Sequence, residues 1–112
     1  MKDIDEFVTM ISTELNKAEK KYPVFCNDLP AAGHSLDIIR FSLLGARARS
    51  EAEQAGGYSF ENTINEEILE ALEAYSAEDY KACLTELAQC GAVILRAMEF
   101  VKHKQTSTRS TL

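Results

Sequence analysis

The chain has 112 residues, of which 18 are acidic and 12 basic, giving a formal charge of −6; this balance disfavours a broad phosphate-binding face, so no polynucleotide partner is expected. With 46% apolar and 27% charged residues the composition is globular, and the length suits one core, so a single helical domain is expected over residues 1–103 with a flexible tail over 104–112. No apolar run reaches the roughly 18 residues of a membrane span, and MKDIDEF lacks the layout of a signal peptide, so a cytoplasmic protein with no membrane partner is expected.

Ile4, Phe7, Val8, Ile11, Leu15 and Ala18 recur at helical spacing, which predicts a first amphipathic helix from Asp3 to Tyr22. Pro23 stops it, because the residue before a proline is pushed out of the helical region. The stretch 23–34, PVFCNDLPAAGH, holds two prolines and a glycine and reads as a loop, with Val24 and Phe25 expected to plug into the core. Ser35 is the expected N-cap of a second helix that runs to Ala55 and ends at Gly56-Gly57. On that helix Leu36, Leu43 and Leu44 share a face with Arg40 and Arg47. Either the arginine stems lie along apolar surface with their heads in water, or the guanidinium groups pair with buried carboxylates or with substrate phosphate.

Ser59, with Glu61 in the first turn, opens a third helix expected to end at Tyr75. Ser76 with Asp79 resembles a capping box and is expected to open a fourth helix from Ala77 to Lys102. A connection this short makes the two helices antiparallel neighbours. The fourth helix is apolar around most of its circumference, through Leu84, Leu87, Val93, Ile94, Leu95, Met98, Phe100 and Val101. Such a helix has to be covered on more than one side, which favours a four-helix, bundle-like all-α fold completed by a second subunit. The three cysteines have no metal-type spacing and form no disulfide framework; Cys26, Cys83 and Cys90 read as small, buried or half-buried apolar groups. His34 and His103 lack a partner at ligand spacing and are assigned no role.

The chemistry is concentrated between Asn65 and Val93. Turning each residue by about 100° places Glu67 among Phe60, Ile64, Ala71 and Ala74, with Glu70 on the margin of the same face. On the fourth helix Glu86 falls among Cys83, Cys90, Val93, Ala97 and Phe100, with Gln89 on the margin. If the turn is centred between Ser76 and Ala77, Glu67 and Glu86 sit at one level, and Glu70 and Gln89 are each displaced from it by about 4.5 Å. Three carboxylates and an amide then converge. Buried like charges are costly without a counter-charge. A divalent cation supplies one, and an oxygen-only donor set suits Mg²⁺ or Mn²⁺ better than zinc. Arg40 or Arg47 supplies the other, which would leave a purely structural polar core.

Glu66-Glu67-Ile68-Leu69-Glu70, a short turn, and then Glu86-Leu87-Ala88-Gln89 resemble the EExxE and ExxD motifs of the MazG-like all-α nucleoside triphosphate pyrophosphohydrolases, over about Thr63 to Met98. The resemblance implies a fold of that architecture, a homo-oligomer (dimer or tetramer), and cleavage of a (d)NTP to (d)NMP and pyrophosphate. It also implies Mg²⁺ or Mn²⁺ bound by Glu67, Glu70 and Glu86, the groups that carry catalysis, with Gln89 as fourth ligand where the family has aspartate. A neutral amide oxygen is the weaker ligand, so lower cation affinity is expected. Arg40, Arg47, Lys81 and Arg96 are candidates to hold substrate phosphates. The alternative is a non-catalytic helical-bundle relative that binds a nucleotide or a protein partner.

Overall fold

The computed structural model describes residues 1–110, with side chains to residue 107. Its elements are α1 (Ile4–Lys21), α2 (Leu36–Glu53), a single 3₁₀ turn (Gln54–Gly56), α3 (Phe60–Ser76) and α4 (Tyr80–Ser110), and no strand occurs among the described residues. The all-α class read from the periodicity is therefore the observed one. Two caps act as expected. Ser35 Oγ accepts from the Ile38 amide at 3.4 Å and Ser59 Oγ from the Asn62 amide at 3.2 Å, each taking up an N–H that the first helical turn leaves without a partner. After the 3₁₀ turn the chain reverses at Gly57, whose φ of 98° lies where a side chain is disfavoured.

The chain gathers into two compact units, one from Met1–Asn27 together with the chain from Leu95 onward, the other from Asp28 to Ile94. In the first, Phe7 of α1 is buried and Lys102 of α4 caps it. The ammonium pairs with Glu6, lies 3.2 Å from Asp3 Oδ1, and sits 5.9 Å above the Phe7 ring. Hydrogen bonds to Glu6 and Asp3 hold it above the usual lysine range.

In the second unit α2 packs against α3. Ile39, Leu43 and Ala46 are buried, and half-buried Leu36, Ser50 and Glu53 extend the same stripe at alternating spacings of three and four. Full burial of Ile39 and Leu43 stabilises the pair of helices by roughly 1.5–3 kcal/mol each. Ala71 of α3 and Cys83 and Cys90 of α4 complete this core.

Several local expectations are corrected. Leu44 is exposed, because the buried stripe is phased on Ile39 and Ala46 and turns it outward. Val24 and Phe25 do not plug the core; Phe25 is 86% exposed. The loop is anchored instead by Asp28, whose carboxylate accepts from the Tyr75 hydroxyl at 2.6 Å. Cys26 is exposed. Helix α3 runs through Ser76, so Ser76 is not a cap, and Asp79 opens α4 by accepting from the Ala82 amide at 3.1 Å. The fourth helix also passes the expected stop at Lys102 and continues through most of the expected tail to Ser110, while residues 111 and 112 lie outside the described residues.

Candidate metal centre

The α3–α4 turn consists of Ala77, Glu78 and Asp79, with Glu78 at the left-handed φ of 60°. Centring the hairpin on Glu78 changes the pairing expected across it. Glu70 and Glu86 are each eight residues from Glu78, and Glu67 and Gln89 are each eleven. The contacts agree with this register: Glu70 meets Glu86, and Gln89 meets Glu67.

Glu67, Glu70 and Glu86 each offer a carboxylate oxygen, and the three oxygens lie within 4.8 Å of one another. All three residues are half-buried. Gln89 is more exposed, and with its amide set by the surrounding acceptors Nε2 donates to Glu86 Oε2 at 2.9 Å and to Glu67 Oε2 at 3.0 Å. Its two N–H groups thus bridge two carboxylates, and its carbonyl oxygen is turned away from them.

The electrostatics follow from this crowding. Burial, the Glu67 charge, and a hydrogen bond and charge from Glu86 push the Glu70 carboxyl up to about 7. So placed, it holds its proton to higher pH than a free glutamate does. Burial, then Glu86 and Glu66, raise Glu67 as well. The buried Cys90 thiol is also raised, by burial and by Glu67 and Glu86, which keeps it protonated.

Helix α2 supplies positive charge to α3. Arg40 Nε donates to Glu73 Oε2 at 3.3 Å. Arg47 Nη2 lies 3.6 Å from Glu70 Oε1, and its Nε lies 4.0 Å from Glu66 Oε1. Glu66 in turn accepts from Ser50 Oγ at 2.8 Å. Both arginines therefore flank the buried stripe and pair with α3 carboxylates that are only half-buried. On the 100° projection Glu66 and Glu73 fall well away from the Glu67 face, so neither is among the residues expected at the site, and nor is Ser50. A signal existed: Arg40 and Arg47 are seven residues apart, as are Glu66 and Glu73, so antiparallel packing of α2 on α3 brings both pairs together.

The other phosphate candidates are not gathered at the cluster in the same way. Lys81 is exposed in the first turn of α4. Arg96 is exposed on the part of α4 that belongs to the other unit.

An oxygen-only set of three close carboxylates, with more negative charge than one half-exposed arginine offsets, fits a hard divalent cation such as Mg²⁺ or Mn²⁺. Glu67, Glu70 and Glu86 are the residues that would hold it. Gln89 would join them only by turning its amide over. Among the described residues no helix is long and apolar enough to cross a membrane. Set against models of known families, curated proteins and solved structures, the chain matches none.

Proposed function

We propose that the chain is a divalent-cation-dependent nucleotide pyrophosphohydrolase that cleaves a (d)NTP to (d)NMP and pyrophosphate. The observation that carries this reading is the convergence of Glu67, Glu70 and Glu86 within 4.8 Å from two helices of one hairpin. A bound Mg²⁺ or Mn²⁺ supplies charge stabilisation to phosphate oxygens and activates a water. The chain's own groups do the rest. Glu67, Glu70 and Glu86 hold their carboxylates toward a common point, and Arg47 offers guanidinium donors beside Glu70. Arg40 and Lys81 are further positive groups of the same unit, suited to phosphate oxygens.

We also infer a homo-oligomer. Ile4, Val8, Ile11 and Leu15 on α1 and Leu84 and Leu87 on α4 are among the exposed apolar groups. Light scattering at micromolar concentration is expected to give a multiple of 12.5 kDa; the mass of one chain would remove this inference.

A second reading, a non-catalytic helical bundle that binds a nucleotide or a protein, is favoured by Gln89. Its amide already satisfies two of the carboxylates, as a structural polar core requires. One experiment separates the two readings. Pyrophosphate release is measured over a panel of NTPs and dNTPs with Mg²⁺ or Mn²⁺, for wild type and Glu67→Gln. The enzyme reading expects release that falls by at least about a hundredfold in the variant. No release with any nucleotide at high protein concentration would leave the second reading standing.

A further inference from the structure

Arg47 is the one cation seen to reach the carboxylate cluster among the described residues, and it reaches Glu70. The contact is loose. At 3.6 Å it is an ion pair without a hydrogen bond, and the arginine side chain is 46% exposed. Its second contact, to Glu66, is with a carboxylate outside the cluster that Ser50 holds in place. The guanidinium thus touches one carboxylate inside the cluster and one outside it, and neither contact holds it tightly.

We propose that Arg47 is a displaceable counter-ion that regulates the carboxylate site: in the cation-free chain its guanidinium stands at Glu70, and a divalent cation has to dislodge it to bind. This rests on the cation-binding reading given above. Glu66 gives the dislodged side chain a partner it already has, so the positive charge stays next to the site and its freed donors are available to phosphate oxygens. A triphosphate that accepts them lifts the competition, so cation and nucleotide each ease the binding of the other. Arg40 has no such role, because its partner Glu73 is not a member of the cluster. Arg49, an exposed residue of α2 with the same charge, makes no ion pair among the described residues and serves as the control.

The probe is Mn²⁺ alone, titrated calorimetrically into the full chain. Arg47→Gln is expected to bind it about three- to tenfold more tightly than wild type, and Arg49→Gln within about twofold of wild type. In thermal unfolding, Arg47→Gln is expected to melt below wild type with a chelator present and to gain more from Mn²⁺; a merely structural arginine would lower both melts equally. Should Arg47→Gln fail to fold, Arg47→Met, which keeps an apolar stem along α2, is measured in the same way. Unchanged or weaker Mn²⁺ binding in the Arg47 variant, or an equal gain in Arg49→Gln, overturns the proposal while leaving cation binding intact. Absence of Mn²⁺ binding from wild type and variant alike overturns both.

Discussion

Glu53 and Glu70 are half-buried carboxylates of the same unit, yet their surroundings displace them in opposite directions. At the corner between α2 and α3, Glu53 accepts from the Ser59 amide at 2.9 Å, from the Ser59 hydroxyl and from Asn62 Nδ2 at 2.8 Å. These donors, the backbone one first, hold its carboxyl below the usual range. At the hairpin, Glu70 faces two other carboxylates and is pushed up to about 7. Where the fold needs an acid, it surrounds that acid with donors. An acid kept among other acids is a poor building element, and the contrast separates two environments within one unit.

The larger test of that contrast is Glu70→Gln. A carboxyl whose pKa rises from 4.5 to about 7 on folding costs nothing below 4.5, and its penalty grows as pH rises to about 7 and is complete above it. Glutamine keeps a donor to Glu86 and removes the charge. Urea unfolding with a chelator present is expected to show Glu70→Gln more stable than wild type at pH 8, by on the order of 2 kcal/mol after allowance for solvent screening, and about equal to it at pH 4.5. Equal stability at both pH values would mean that Glu70 ionises normally and that the two carboxylates do not differ.

Glu53→Ala is expected to have the smaller effect and the opposite pH signature. A lowered carboxyl stabilises above about 4.5 and loses its contribution as pH falls through the folded-state value. The melting temperature should drop by a few degrees near neutral pH, with the gap to wild type closing in acid. A gap that widened in acid would show that the corner is held by packing alone.

The four helices were legible because their signals are local. Ser35 and Ser59 cap where a serine followed by an acid should, and the spacing of Ile4, Phe7 and Ile11 marks α1 as a helix. Glu67, Glu70 and Glu86 were legible as a group because acids in an apolar stripe stand out under a 100° rotation, and the fold brings these three together. The hairpin register was not legible. Ser76 and Asp79 present a capping pattern that Asp79 satisfies one turn later, and nothing in the residue type of Glu78 announces a left-handed backbone. The phase of α2 was misjudged for a similar reason. Leu44 looks like core, but the stripe that α2 buries runs through Ile39, Leu43 and Ala46 and leaves Leu44 outside it. The arginine–glutamate pairs needed two helices to be read against each other, which a single-helix projection does not do.

The turn at Glu78 has a consequence for how this chain tolerates change. Two of the three carboxylates are carried on α3 and the third on α4, and the two helices are joined by only three residues. Adding or deleting one residue there would rotate α4 about its axis by about 100° and slide it by about 1.5 Å. Glu86 and Gln89 would then point elsewhere while every site residue was still present. The spacing from Glu70 to Glu86 is as much a component of the site as any carboxylate in it, and a chain that kept the residues but not that length would have the ingredients without the centre.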